Sequence, residues 1–130
     1  MRIAITASTG SPDSQVDGRF TAARYILIFD MADGRWETVK CSLWSRRQKH
    51  SGHIRASILK EKNIGILISG GVDPISFKEL RKRGISIYQA PETMVREAAE
   101  MLAHGRLLAL QVPDAIDVSR LVKRSYVSIV

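Results

Sequence analysis

The run Ile64-Gly65-Ile66-Leu67-Ile68 restricts the fold more than any other stretch of this sequence. It is too short for a useful helix, and it lacks the polar alternation of a strand with one wet face. Such a strand belongs in the middle of a parallel sheet, covered on both sides. Its flanks agree. Upstream, Gly52 to Lys62 has a helical pattern, with Ile54 and Ile58 four apart on one face. Ser51 is placed to cap its start, and Asn63 suits a left-handed stop. Downstream, Gly70-Gly71 turns the chain, and Asp73-Pro74 reads as an N-cap followed by proline at the first helical position. Phe77 and Leu80 give this second helix its inward side, and Gly84 ends it.

The remaining elements follow from the same signals. Ile3-Ala4-Ile5-Thr6 is a buried first strand that breaks into the turn-rich Ser8-Thr9-Gly10-Ser11-Pro12-Asp13. Tyr25 to Asp30 and Arg35 to Cys41 are β-rich runs on either side of Ala32-Asp33-Gly34, the signature of an antiparallel hairpin. Ile85 to Tyr88 is a fifth strand. Pro91-Glu92 opens a third helix, with Val95, Ala98, Ala99 and Leu102 on one stripe and Gly105 at its end. Helix-linked strands imply right-handed parallel crossovers. The expected architecture is therefore α/β: a three-layer α/β/α domain with a mixed five-stranded sheet and three helices. After Gly105, residues 114 to 122 suggest a short helix, and Tyr126 to Val130 a strand that could pair with a sheet edge of its own or another copy.

With 130 residues, 45% of them apolar and one cysteine, the chain can bury a core without disulfides. No stretch approaches the length of a membrane span, and the short apolar start does not resemble a signal peptide, so a cytoplasmic setting is expected. The formal net charge of +7 suits either a solvated basic surface or an anionic partner. Aromatic residues make up only 6%, which leaves few stacking platforms for single-stranded nucleic acid.

Strand directions locate a ligand edge. If the first strand runs up, the hairpin runs down and back, and the apolar central strand runs up again. The upper edge then gathers the loop from Ser8 to Phe20, Cys41, the basic loop from Ser42, the turn at Gly70 to Asp73, and the starts of the first two helices. Ligands of open α/β sheets bind at this edge, and free N–H groups of helix N-termini favour anions there. The spacing brings His50, His53 and Cys41 into the same region. These are borderline or soft metal ligands, and a helix N-terminus disfavours imidazolium. Arg46, Arg47, Lys49 and Arg55 stand around them, and Arg19 arrives from the first loop. Gly70 or Gly71 is expected either to adopt positive φ or to allow a close backbone approach. On spacing alone, a capped helix bearing two solvent-facing histidines is the plainer reading. Nothing in the sequence matches a closed structural zinc site such as paired CxxC, which argues against structural zinc.

Three stretches, in this order and spacing, resemble the dinitrogenase iron-molybdenum cofactor biosynthesis family: Met1 to Ile5, Val16 to Asp30 around Arg19-Phe20, and Gly65 to Pro74 with the helix and Gly84 to Tyr88 that follow. The resemblance covers roughly residues 1–105, leaving 106–130 as a C-terminal extension of the same domain. It implies a ribonuclease H-like sheet and a non-enzymatic role in binding or carrying iron-sulfur or iron-molybdenum cluster precursors, with other metallocofactor assembly proteins as partners. His50, His53 and Cys41 would then be metal ligands, and Arg19, Arg46, Arg47, Lys49, Gly70 and Gly71 would hold the rest of the cluster. A homodimer is a further expectation. The alternative is a module that binds nucleic acid or an acidic protein through the basic loop, nucleic acid being the weaker partner. A metal-dependent nuclease would need several converging carboxylates. The first strand carries none, and Asp30 lies at the opposite edge from Asp73. Gly70-Gly71 also lacks the spacing of a dinucleotide fingerprint.

Overall fold

The computed structural model describes residues 1–41 and 51–111. The elements run β1 (Arg2–Ala7), β2 (Tyr25–Asp30), β3 (Arg35–Lys40), α1 (Ser51–Glu61), β4 (Ile64–Ser69), α2 (Pro74–Lys82), β5 (Ser86–Gln89), α3 (Val95–Ala103) and β6 (Leu108–Ala109). They build one sheet of order β3-β2-β1-β4-β5-β6. Strands β1 and β2 are antiparallel, with Ile3 opposite Phe29 and Ile5 opposite Leu27, and β2 and β3 form the expected hairpin. Its turn places Gly34 at φ 73°, a region open to glycine at little cost. Strand β4 lies parallel to both β1 and β5. Strands β1, β3, β4 and β5 therefore all end at the upper edge.

Alternation along the strands sorts the side chains into two cores, and this creates the three layers. Ala4, Ile26, Ile28, Leu67 and Ile87 pack with Ala56 and Leu59 of α1 and Leu80 of α2. Ile3, Ile5, Ala7, Leu27 and Ile68 face the other way, against Val95, Ala98 and Ala99 of α3. The second helix is built as its sequence suggests. Asp73 caps it by accepting a hydrogen bond from Ser76 N, Pro74 is its first residue, and Leu80 is buried. Asn63 ends α1 in the left-handed region at φ 61°.

Three expectations need correction. Among the described residues the sheet has six strands rather than five: Ala109 and Leu108 pair antiparallel with Tyr88 and Gln89. A two-residue strand carries no readable alternation, but Leu110 reaches the first core and Leu107 the second, which anchors the pair. The third helix starts at Val95 instead of Pro91, because the backbone at Thr93 and Met94 is taken up by the first loop. Val16 N donates to Thr93 O at 2.9 Å, and Gln15 bridges Met94. Finally, Arg55 is no part of a solvent-facing basic group. It is 0% exposed, and the innermost face of α1 is Gly52, Arg55, Ala56 and Leu59. Ile54 and Ile58 are only partly buried.

Candidate ligand edge

The first loop and the β4–α2 turn are laced together at the upper edge. Gly70 N donates to Asp17 O at 3.1 Å, and Phe20 N donates to Gly71 O at 3.1 Å. Thr6 Oγ1 donates to Asp17 O at 2.9 Å from inside the sheet, and Ser69 Oγ donates to Gly71 O at 3.0 Å. Gln89 Nε2 reaches across from β5 to Gly70 O at 3.1 Å. Arg19 is exposed on this loop, and its backbone N–H donates to Asp17 Oδ1 at 3.0 Å.

Gly70 is needed for contact rather than for dihedral freedom. Among the described residues, the glycines at positive φ are Gly34, Gly84 and Gly105, so that half of the expectation fails for the Gly70-Gly71 turn. A Cβ on Gly70 would lie 2.6 Å from Gly18 Cα and 3.1 Å from Asp17 O. The close approach stands, and it brings two backbones together where a side chain would hold them apart.

The buried Arg55 ties α1 to the same loop. Its Nη1 donates to Phe20 O at 2.6 Å and to Ala23 O at 3.0 Å. A guanidinium away from water needs such acceptors, and the two hydrogens of one Nη1 serve two carbonyls at once. Nothing in the periodicity of Gly52 to Lys62 sets Arg55 apart from its basic neighbours, so sequence reasoning missed it. Cys41 directly follows β3 and is also fully buried, packed in the core with Ala56 and Leu59, while its N–H donates to Arg24 O at 2.8 Å. Its sulfur thus faces the interior below the edge.

At the top of the helices, α1 and α2 run side by side. A Cβ on Gly52 would collide with Ser76 Oγ, so glycine sets how closely the two helix starts approach. One position on, the His53 side chain is 54% exposed, and its Nδ1 lies 3.1 Å from Glu79 Oε2. Arg83 Nη1 donates to the same Glu79 oxygen at 2.6 Å. The Arg83 guanidinium, then His53, then Lys82 hold the Glu79 carboxyl well down, from the usual 4.5 to about 2. Arg46, Arg47, Lys49 and His50 lie outside the described residues. Among the described residues, no three His, Cys, Asp or Glu side chains are grouped to hold a metal ion. A hollow of about 570 Å³ beside β6 is lined by Ala90, Pro91, Met101, Leu107 and Leu108, with Gln89 and Arg106, and offers no such ligand.

The fold is an α/β domain whose strand ends, first loop and helix starts gather at one edge, with Arg19 and His53 exposed there. The family model described as dinitrogenase iron-molybdenum cofactor matches residues 1–105, and the chain belongs to that family. Among solved structures it is similar to the apo form of the orange protein from Desulfovibrio gigas, at 30% identity and TM-score 0.81, over 86% of this chain and 94% of that one. It is also similar to a candidate NifB protein from Thermotoga, at 28% identity and TM-score 0.76, over 85% and 94% of the two chains. A dinitrogenase-like protein from Methanocaldococcus jannaschii shares the fold at 20% identity and TM-score 0.63, over 87% and 97%. Among curated proteins no sequence matches. The sixth strand lies beyond the residues that the family model covers.

Proposed function

We propose that this chain is a non-enzymatic carrier, holding an iron-sulfur or iron-molybdenum cluster precursor as cargo at the upper edge during metallocofactor assembly. One observation carries the reading: the carbonyls of Asp17, Phe20, Ala23, Gly70 and Gly71 are all engaged from within the protein. With these acceptors taken up from within, the edge meets a ligand through side-chain cations and not through carbonyl oxygens, which favours an anion. Arg19 adds positive charge, and the half-exposed His53 adds a nitrogen of borderline softness, suited to iron. A cluster bound through few protein ligands and many charge contacts fits this donor set better than a bare metal ion does. Membership of an iron-molybdenum cofactor family supports the cargo class.

The same reading assigns Arg46, Arg47 and Lys49 to charge compensation and His50 to a second ligand from the loop before α1. Cys41 would join them only by turning its sulfur out of the core. The partners are assembly proteins that deliver and receive the cluster in a cytoplasmic setting, and a second copy of the chain meeting along an open sheet edge. No helix among the described residues is long and apolar enough to cross a membrane. The test is anaerobic reconstitution with iron and sulfide, followed by metal analysis. Wild type is expected to acquire cluster absorption, and a His50→Ala, His53→Ala double variant to lose most of it with its fold intact. Equal loading of the two would move the ligands elsewhere.

A further inference from the structure

Resting on that reading of the edge, we propose that Glu79 is a positioning residue for His53: its carboxylate accepts a hydrogen bond from Nδ1–H, which leaves Nε2 as the bare nitrogen that meets an iron-containing cluster. The observation behind this is a set of contacts between two helix faces. On α1, His53 and Ser57 are one turn apart; so are Glu79 of α2 and Arg83, which stands at the C-cap of that helix. Facing each other, they form a single chain of contacts. Arg83 Nη2 donates to Ser57 Oγ at 3.0 Å, and Arg83 Nη1 donates to Glu79 Oε2 at 2.6 Å and to Glu79 O at 2.9 Å. Glu79 Oε2 in turn meets His53 Nδ1 at 3.1 Å. Lys82 Nζ lies 3.7 Å from the other carboxylate oxygen.

The tautomer follows from what each group can do. A carboxylate only accepts hydrogen bonds, so an Nδ1 lone pair turned toward Oε2 at 3.1 Å would set two lone pairs against each other. With the proton on Nδ1, the contact becomes a hydrogen bond. Arg83 Nη2 also approaches Nδ1, at 3.4 Å. That is its longest contact in the group, and Arg83 already has Glu79 and Ser57 as acceptors. The carboxylate is itself fixed: its side chain is 16% exposed and is held by Arg83 from its own helix. With Nδ1 turned inward, the geometry of the ring puts Nε2 on the far side, on a side chain that is 54% exposed. A carboxylate behind a ligating imidazole fixes the ring and raises its basicity, and losing it weakens metal binding by roughly ten- to a hundredfold.

The experiment reads the tautomer directly, on the full chain without cargo. Imidazole 15N shifts of His53 are recorded near pH 8.5, about two units above the ordinary histidine range. They are compared in wild type, Glu79→Ala, Glu79→Gln and Arg83→Met, with the resonance assigned by its absence in His53→Ala. Wild type should show the proton on Nδ1. Glu79→Ala should move it to Nε2, the form that predominates in free imidazole side chains. Glu79→Gln, which keeps an acceptor oxygen, should restore part of the Nδ1 form, and Arg83→Met should broaden the distribution. A tautomer unchanged in Glu79→Ala overturns the positioning role, whatever the cargo. Iron and sulfide loading forms the second arm. Glu79→Ala is expected to need roughly tenfold more iron for half-loading, with Glu79→Gln in between. If the tautomer shifts but Glu79→Ala and His53→Ala both load like wild type, His53 is not the ligand. The reading of the edge then fails at this residue, and the proposal fails with it.

Discussion

Gly70 and Glu79 show how much a single position can hold in place. At Gly70, the whole lacing of the first loop to the β4–α2 turn depends on the absence of a side chain. Gly70→Ala would force Gly18 Cα and Asp17 O away from a methyl group. We expect about 1–3 kcal/mol of destabilisation in urea unfolding, as for other overpacked sites, together with faster amide exchange at Phe20 and Gly70. Glu79 has the opposite character, since its worth lies in charge. Its folded-state pKa is lowered from 4.5 to about 2 by Arg83, His53 and Lys82. A depressed carboxylate contributes stability that is fully present above the unfolded value and disappears as pH falls through the folded one. Wild type should therefore exceed Glu79→Gln in melting temperature above about pH 4.5, and the gap should close toward pH 2. A gap independent of pH would mean that packing, and not charge, accounts for the difference.

At the scale of elements, the two helices that flank the edge are fixed by contacts of different legibility. The N-cap of α2 is plain in Asp73-Pro74, and the structure bears it out. Asp73→Ala is expected to cost about 1 kcal/mol, whereas Asp73→Asn should cost a few tenths at most, because asparagine caps equally well. Ser76 was not legible. Its hydroxyl is buried at the crossing with Gly52 and has no hydrogen-bond partner among the described residues. Removing a buried hydroxyl that makes no bond should leave stability unchanged or raise it by about 1 kcal/mol, so Ser76→Ala melts no lower than wild type. Arg55 was hidden for a related reason: helical periodicity assigns faces by hydropathy, and a buried arginine reads as solvent-facing. Arg55→Met would strand the carbonyls of Phe20 and Ala23, at roughly 1–3 kcal/mol each. It should also loosen the first loop in hydrogen exchange before any other part of the molecule. The start of α3 was misplaced because the residues that delay it belong to a distant loop, which local propensity does not register.

Across the whole molecule, the sheet decides what each local signal comes to mean. The apolar run at Ile64 to Ile68, the hairpin around Gly34 and the amphipathic stripe of α3 were each readable, and together they imply strand directions and an upper edge. The contacts Gly70–Asp17 and Phe20–Gly71 put the first loop and the β4–α2 turn where those directions require. The short sixth strand closes one side of the sheet with residues that no family pattern covers. If two copies meet along an edge through the chain beyond it, deleting residues 113–130 is expected to lower the solution mass to that of one chain. An unchanged association would place the contact on β3 instead. The sequence by itself determined the first five strands, the three helices, their order and the strand directions that define the upper edge, because hydrophobic period, caps and turn residues act within a few positions of one another. Only the tertiary structure decided that Arg55 and Cys41 lie inside, that Gly70 serves a close contact, and that Glu79 stands behind His53. Burial and hydrogen-bond partnership are set by residues distant along the chain, brought together by the crossing of α1 over the sheet and beside α2.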